Sequence, residues 1–160
     1  MLNVSDHLPD VEVMIMTSDG PAPVRTSDLL GTGKVVLFGV PGAFTPICTD
    51  YHLPGFVLRA EALKARGVDT IACLSVNDAF VMGAWGDAQG VDGEILMIAD
   101  PEAAFTRAMG LATDASAFGL GTRSARYVAI VEDGVITKLS VETHIVDHAV
   151  TTAEVVLADL

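Results

Sequence analysis

The sequence is poor in cysteine, with only Cys48 and Cys73 among its 160 residues. Two cysteines are too few for a disulfide framework or for a zinc site. They are not spaced as a CxxC pair, so dithiol exchange of the thioredoxin type is not expected either. A single reactive thiol in a reducing compartment remains, and the residues around each cysteine decide which one it is.

Basic residues are also scarce: 9 Lys and Arg stand against 21 Asp and Glu, for a net charge of −12. Such a balance argues against binding to nucleic acid, which rewards clusters of Lys and Arg. It argues equally against an anionic membrane surface. The negative net charge would not affect the approach of a neutral small substrate, whereas an anionic substrate would need a local basic residue.

Long hydrophobic runs are missing too, although hydrophobic residues make up 51% of the chain. No stretch approaches the run of about 18 apolar residues that a bilayer crossing requires. The first ten residues carry acids where a signal or transit peptide has basic residues. With no repeat or linker in sight, we expect a single domain over residues 1–160, located in the cytoplasm.

The apolar pattern predicts an α/β fold. Strands are expected at residues 11–17, 34–40, 68–76, 94–99, 127–131 and 135–141, and helices at 56–66, from Asn77 or Asp78 through Trp85, at 101–109 and at 151–160. Strand, helix and strand over 34–76 form a parallel βαβ unit. Asp19-Gly20 and Asp133-Gly134 indicate hairpins near the two ends of the chain. Together these elements fit a thioredoxin-like fold, a central mixed β-sheet flanked by helices with an N-terminal β-hairpin.

The most informative stretch is PGAFTPICTDYHLPGF at residues 41–56, directly after the predicted central strand. The carboxyl ends of strands in open α/β sheets are where sites form. Read as a helix start, Thr45 is the N-cap, Pro46 the first helical residue and Cys48 the third. Free N–H groups and the positive end of the helix dipole would then favour the nucleophilic thiolate at Cys48. Pro54 should kink the helix after Leu53.

A free cysteine is most often only a small buried hydrophobe, and both cysteines must be weighed against that interpretation. Cys73 fits it, because in the middle of a predicted strand desolvation raises the pKa of a thiol and leaves it inert. For Cys48 the cap-Pro-X-Cys arrangement after a central strand favours reactivity instead.

The stretch PGAFTPICTDYHLPGF resembles the active-site signature of peroxiredoxins, and PGAFTP-x-C followed by HLPGF is most similar to the type-5 subfamily. Further matches, among them ACLSVNDAFV and ADP, extend the similarity from about residue 34 to about residue 141. The resemblance implies a thioredoxin-like fold and reduction of hydrogen peroxide and organic hydroperoxides without a metal or a bound organic cofactor. It also implies, commonly, a homodimer.

The resemblance also assigns roles to matching residues. Cys48 would be the peroxidatic cysteine, which becomes a sulfenic acid. Thr45 would hydrogen-bond the peroxide and the thiolate, Pro41 would shield the sulfur, and Arg126 would reach back to the thiolate. From the residues alone Arg123 is equally reachable, but Arg126 is preferred because it opens the predicted strand and matches the motif. The remaining arginines look like solvated surface residues: Arg25, Arg59, Arg66 and Arg107.

Type-5 relatives often carry a resolving cysteine in the C-terminal region, and this chain has none after Cys73. Val150 lies near where that cysteine would fall. We therefore expect a one-cysteine mechanism in which an external thiol, such as glutathione, glutaredoxin or thioredoxin, reduces the sulfenic acid.

Two histidine arrangements suggest other chemistry. His52 stands one helical turn after Cys48, so a cysteine-hydrolase pair is conceivable, although a packing or hydrogen-bonding role is the better interpretation. His144 and His148, with Glu142 and Asp147 nearby, could bind a metal ion, although a solvated polar segment is the better interpretation. Beyond peroxidase, the reactive thiol would also suit a thiol–disulfide oxidoreductase or a redox-sensing, holdase-like module.

Overall fold

The computed structural model describes residues 1–160 and contains nine strands and five α-helices. The strands are β1 (Glu12–Thr17), β2 (Gly20–Arg25), β3 (Lys34–Val40), β4 (Thr70–Ser75), β5 (Leu96–Ala99), β6 (Ala112–Asp114), β7 (Thr122–Ser124), β8 (Tyr127–Glu132) and β9 (Val135–Val141). The helices are α1 (Thr26–Leu30), α2 (Leu53–Ala65), α3 (Ala79–Gln89), α4 (Ala104–Met109) and α5 (Ala153–Asp159). A π-helical segment, Cys48–His52, precedes α2. No helix is both long and apolar enough to cross a bilayer.

Seven strands form one sheet in the order β2-β1-β5-β4-β3-β8-β9. The central strands β3, β4 and β5 run parallel, while β8 pairs antiparallel with β3 and β1 antiparallel with β5. Two apolar clusters, of 22 and 14 buried residues, cover this sheet. The predicted thioredoxin-like fold, with its mixed sheet and N-terminal hairpin, is confirmed.

Among the helices that follow β4, the predicted starts are correct at one position and shifted at two. Asp78 caps α3, since its carboxylate accepts the N–H of Val81 at 2.8 Å. At α5 the cap is Thr152, which accepts the N–H of Val155, whereas the sequence pattern indicated Thr151. Helix α4 begins at Ala104 and not at Pro101.

The late start of α4 has a local cause. The buried carboxylate of Asp100 accepts the N–H groups of Phe105 and Thr106, at 3.1 and 2.9 Å. Pro101 is therefore used in a turn between β5 and the helix. A side chain from outside the helix thus replaces the proline start that the sequence predicted.

Two features have no counterpart in the prediction. Helix α1 is a single short turn, and β6 pairs with β7 in a small second sheet that carries the chain from α4 to β8. Segments of three to five residues are too short to show a hydrophobic period. The second sheet matters for the site because Arg123 lies in β7.

Candidate active site

The helix that carries Cys48 starts at the end of β3, as predicted. Helical backbone begins at Pro46, and the N–H of Thr49 donates to the carbonyl of Thr45 at 2.9 Å. Thr45 is therefore in the N-cap position and Cys48 is the third helical residue. The Thr45 hydroxyl does not cap the helix, however, because it donates to the carbonyl of Gly42 at 2.6 Å.

The turn that follows, over Cys48–His52, is π-helical, with the N–H of Leu53 donating to the carbonyl of Cys48 five residues back. Pro54 has no N–H to continue a regular helical ladder, and a π-turn is one way in which a helix absorbs such a break. The sequence predicted a kink after Leu53. The structure places the irregularity in the turn before Leu53, over Cys48–His52.

Strand register brings Arg126 to the sulfur. Strand β8 pairs antiparallel with β3, and Tyr127 is opposite Gly39, so the residue before β8 lies where β3 ends. Arg126, 2% exposed, donates from Nη2 to Sγ of the fully buried Cys48 at 3.4 Å. Arg123 instead donates from Nη1 to the carbonyl of Pro41 at 3.3 Å. Arg126, the arginine preferred from the sequence, is thus the one that contacts the sulfur.

His52 contacts Arg126 and not Cys48. Nη1 of Arg126 lies 2.9 Å from Nδ1 of His52. A guanidinium can only donate, so Nδ1 is the acceptor and the proton of the neutral ring is on Nε2. That Nε2 donates to the carbonyl of Thr151 at 3.1 Å. With both ring nitrogens engaged, the cysteine-hydrolase pairing is not formed, and His52 helps to orient the arginine.

The ring of His52 is packed against Phe38 and Phe56, with centroids 5.0 and 5.6 Å away. Burial holds the pKa of His52 well below its ordinary value of 6.5, and the charges of Arg126 and His148 lower it further. Since His52 stays neutral in the folded chain, the unfolded chain binds more protons below pH 6.5.

We therefore expect the free energy of unfolding to fall as pH decreases from 7 to 5, by up to about 1.4 kcal/mol per pH unit for one proton. His52→Asn should reduce this slope, because the amide oxygen can replace Nδ1 as acceptor without titrating. Urea unfolding across this pH range measures it, with His144→Asn as the control at an exposed histidine. Equal slopes in both variants would contradict the assignment.

Cys73 lies in β4, opposite Phe38 of β3, and is fully buried. Burial, with a smaller contribution from Cys48, raises the pKa of Cys73 well above its ordinary value. It therefore remains a thiol in the core, as its position in a predicted strand indicated.

A cavity of about 590 Å³ opens beside the arginine and is lined by Pro41, Thr45 and Arg126, three of the residues singled out in the sequence. Most of the remaining lining is apolar: Phe44, Pro46, Ile47, Phe118, Leu120, Ile145 and Val146. The cavity thus reaches Arg126, whose guanidinium contacts the fully buried Cys48, and it suits a small polar group with an apolar remainder.

In the C-terminal region, the carboxylates near the two histidines accept hydrogen bonds from the backbone. The carboxylate of Asp147 accepts the backbone N–H of His144, and that of Glu142 accepts three backbone N–H groups. No three His, Cys, Asp or Glu side chains are grouped for metal binding. The contact of Glu142 with the backbone of residues 149–151 could not be predicted, because no local pattern signals it.

The fold and the site define a thioredoxin-like protein with one buried thiol held beside an arginine. The Redoxin family model matches residues 3–157. Peroxiredoxin-2E-2, chloroplastic, of Oryza sativa subsp. japonica is 46% identical over 87% of this chain, which spans 64% of the rice protein. Peroxiredoxin-2B of Arabidopsis thaliana is 41% identical over 88% of this chain and 87% of its own length.

Among solved structures, reduced Prx3 of Vibrio vulnificus in complex with H2O2 superposes with a TM-score of 0.94. It is 48% identical, and the match covers 99% of both chains. Peroxiredoxin 5 of Alvinella pompejana is 35% identical, superposes with a TM-score of 0.84, and the match covers 99% of this chain and 97% of that one. The chain belongs to the peroxiredoxin family, in its type-5-like branch.

Proposed function

We propose that this chain is a thiol peroxidase in which the Cys48 thiolate attacks a hydroperoxide. The observation that carries the proposal is the 3.4 Å contact between Nη2 of Arg126 and Sγ of Cys48. A guanidinium stabilises negative charge on sulfur and is always protonated. The sulfur forms a bond to the terminal peroxide oxygen as the O–O bond breaks, and the hydroxide or alkoxide leaves and takes a proton. Cys48 is thereby oxidised to a sulfenic acid and the peroxide is reduced to water or an alcohol.

Three other residues are proposed to act on the reacting sulfur or the peroxide oxygens: Arg126, Thr45 and Pro41. Arg126 would hold the peroxide oxygens as negative charge moves from sulfur to the leaving oxygen. Thr45 lines the cavity, and turning its hydroxyl from the Gly42 carbonyl would let it donate to the peroxide. Pro41 lines the same cavity and would shield the sulfur from bulk water.

Both hydrogen peroxide and organic hydroperoxides are proposed as substrates. The site requires only the O–O group at the sulfur, and the apolar lining of the 590 Å³ cavity could accommodate an alkyl group. The H2O2 complex of the Vibrio vulnificus relative supports binding of the smaller substrate by proteins of this kind.

An external thiol is proposed to complete the cycle. Cys73 is fully buried and its raised pKa keeps it protonated, so it is unsuited to attack the sulfenic acid. One thiol of glutathione, glutaredoxin or thioredoxin would displace water from Cys48, forming a mixed disulfide. A second thiol would then release Cys48 in its reduced form.

Stopped-flow mixing of the reduced protein with hydrogen peroxide or cumene hydroperoxide tests this proposal. We expect one equivalent of peroxide to be consumed and a sulfenic acid to be trapped, far faster than with free cysteine. Each of the three thiol reductants is then added to find which restores turnover. Oxidation at the rate of free cysteine would contradict the proposal. Redox-dependent assembly without turnover would favour a sensor, and reduction of a disulfide substrate would favour an oxidoreductase.

The proposal includes a homodimer and a cytoplasmic location, with residues 1–160 acting as one domain. Large apolar side chains are exposed near the cavity, with Phe44, Phe118 and Val146 each more than half exposed. A second copy could cover them. Sedimentation velocity measures the oligomeric state, and a monomer at micromolar concentration would contradict the dimer.

Imaging a tagged chain in its native cell tests the proposed cytoplasmic location. The rice relative, in contrast, is named as a chloroplastic protein.

A further inference from the structure

The loop between β9 and α5 is folded around one carboxylate. Glu142 follows β9 directly and is only 8% exposed. Its Oε2 accepts the N–H groups of Ala149, Val150 and Thr151 at 2.8 to 3.0 Å, and the Thr151 hydroxyl at 2.8 Å. No Lys or Arg forms an ion pair with this carboxylate. Four donors from one short segment therefore hold a charge that burial alone would disfavour.

The same loop supplies the oxygens that hold Arg126 in place. The carbonyl of Ile145 accepts from Nη2 of Arg126 at 3.0 Å. The carbonyl of Thr151 accepts from His52, and His52 in turn accepts from Nη1 of Arg126. The backbone N–H of Glu142 also donates to the carbonyl of Arg126 at 2.9 Å.

The guanidinium depends on these contacts for its orientation. Nε of Arg126 is buried without a hydrogen-bond partner, so only the two Nη groups are held. Apart from the sulfur, those groups contact Ile145 and His52, and both partners are tied to the loop. A misplacement of about 1 Å in a reacting group can reduce a rate by about 100-fold.

We propose that Glu142 is a positioning residue for peroxide reduction: it closes the loop over residues 143–151 so that the Ile145 and Thr151 carbonyls orient Arg126 and His52. The proposal rests on the role proposed above for Arg126. Burial would raise the pKa of Glu142, but its hydrogen bonds from Thr151, Ala149 and Val150 outweigh burial and lower it, so the carboxylate is ionised at neutral pH.

The test is a double-mutant cycle on the stopped-flow rate of Cys48 oxidation by hydrogen peroxide. In the wild-type background, Glu142→Ala should lower this rate by about 10- to 100-fold. Glu142→Gln should lower it less, because the amide oxygen can still accept hydrogen bonds from the loop. In an Arg126→Gln background, Glu142→Ala should change the remaining rate by no more than about twofold.

Asp147→Asn is the matched control, because Asp147 lies in the same loop and its carboxylate accepts only the backbone N–H of His144. It should stay within about twofold of the wild-type rate. Urea unfolding checks that each variant is folded under the conditions of the rate measurement. Should Glu142→Ala not fold, Glu142→Gln enters the cycle in its place.

Two results would overturn the proposal: a wild-type rate in the folded Glu142 variants, or rate losses at Glu142 and Arg126 that multiply as for independent sites. If instead the proposed role of Arg126 were wrong, Cys48 in the Arg126→Gln variant would be oxidised by peroxide at the wild-type rate. The cycle therefore separates the positioning role of Glu142 from the role of the arginine.

Discussion

Cys48→Ser is expected to abolish peroxide reduction, whereas Cys73→Ser leaves the rate of peroxide reduction close to that of the wild type. Both side chains are fully buried, so the two substitutions are matched in burial and chemistry. They differ in their surroundings, because Arg126 donates to the sulfur of Cys48 while burial keeps Cys73 a thiol. A serine hydroxyl at position 48 cannot act as the nucleophile, since a neutral hydroxyl is a weak one.

The measurement is peroxide consumption with each of the three candidate reductants present. Cys73→Ser should also lower the free energy of unfolding by about 1–3 kcal/mol, because a hydroxyl is placed in an apolar core. Urea unfolding separates that loss from any loss of activity. Loss of turnover in Cys73→Ser with a normal first oxidation would identify Cys73 as the resolving cysteine and refute the one-cysteine mechanism. Residual turnover in Cys48→Ser would refute the assignment of the nucleophile.

Arg126→Gln is expected to lower the second-order rate of oxidation by about 10² to 10³, the loss found when a donor to developing charge is removed. Glutamine keeps hydrogen-bond donors but not the charge or the fork of the guanidinium. The effect should appear in the reaction with peroxide and not in later reduction by the external thiol. Stopped-flow oxidation under single-turnover conditions measures the first step alone.

Arg123→Gln is the comparison, because Arg123 is three residues before Arg126 and its guanidinium also lies close to the active-site segment, at the carbonyl of Pro41. Its guanidinium donates to the carbonyls of Leu120 and Pro41 and not to the sulfur. Both bonds run from a charged group to backbone carbonyls that do not contact the sulfur, so their loss should lower the free energy of unfolding by about 1.5–3 kcal/mol each. It should lower the oxidation rate far less than Arg126→Gln does. A larger loss in Arg123→Gln than in Arg126→Gln would reverse the assignment.

The strongest sequence predictions concern segments with a clear local pattern. Strand β3 was placed correctly at Lys34–Val40 because nearly all of its residues are apolar and both of its faces are covered. Cys48 was placed in the first turn of its helix because threonine followed by proline is a reliable helix start. Helix α4 was started three residues too early, because the carboxylate of Asp100 caps it from outside.

By itself, the sequence determined the α/β fold, the helix start that exposes Cys48 to the first-turn dipole, and the inert environment of Cys73. The resemblance favoured Arg126 over Arg123, but only the tertiary structure brings its guanidinium to the sulfur, since that contact depends on Tyr127 lying opposite Gly39. A shift of one residue in this register would turn a different side chain towards the sulfur. The contacts of His52 with Arg126 and Thr151 join residues 74 and 99 positions apart. Local patterns carry no information on contacts at such separations, because they arise only when the strands pair and the loops close.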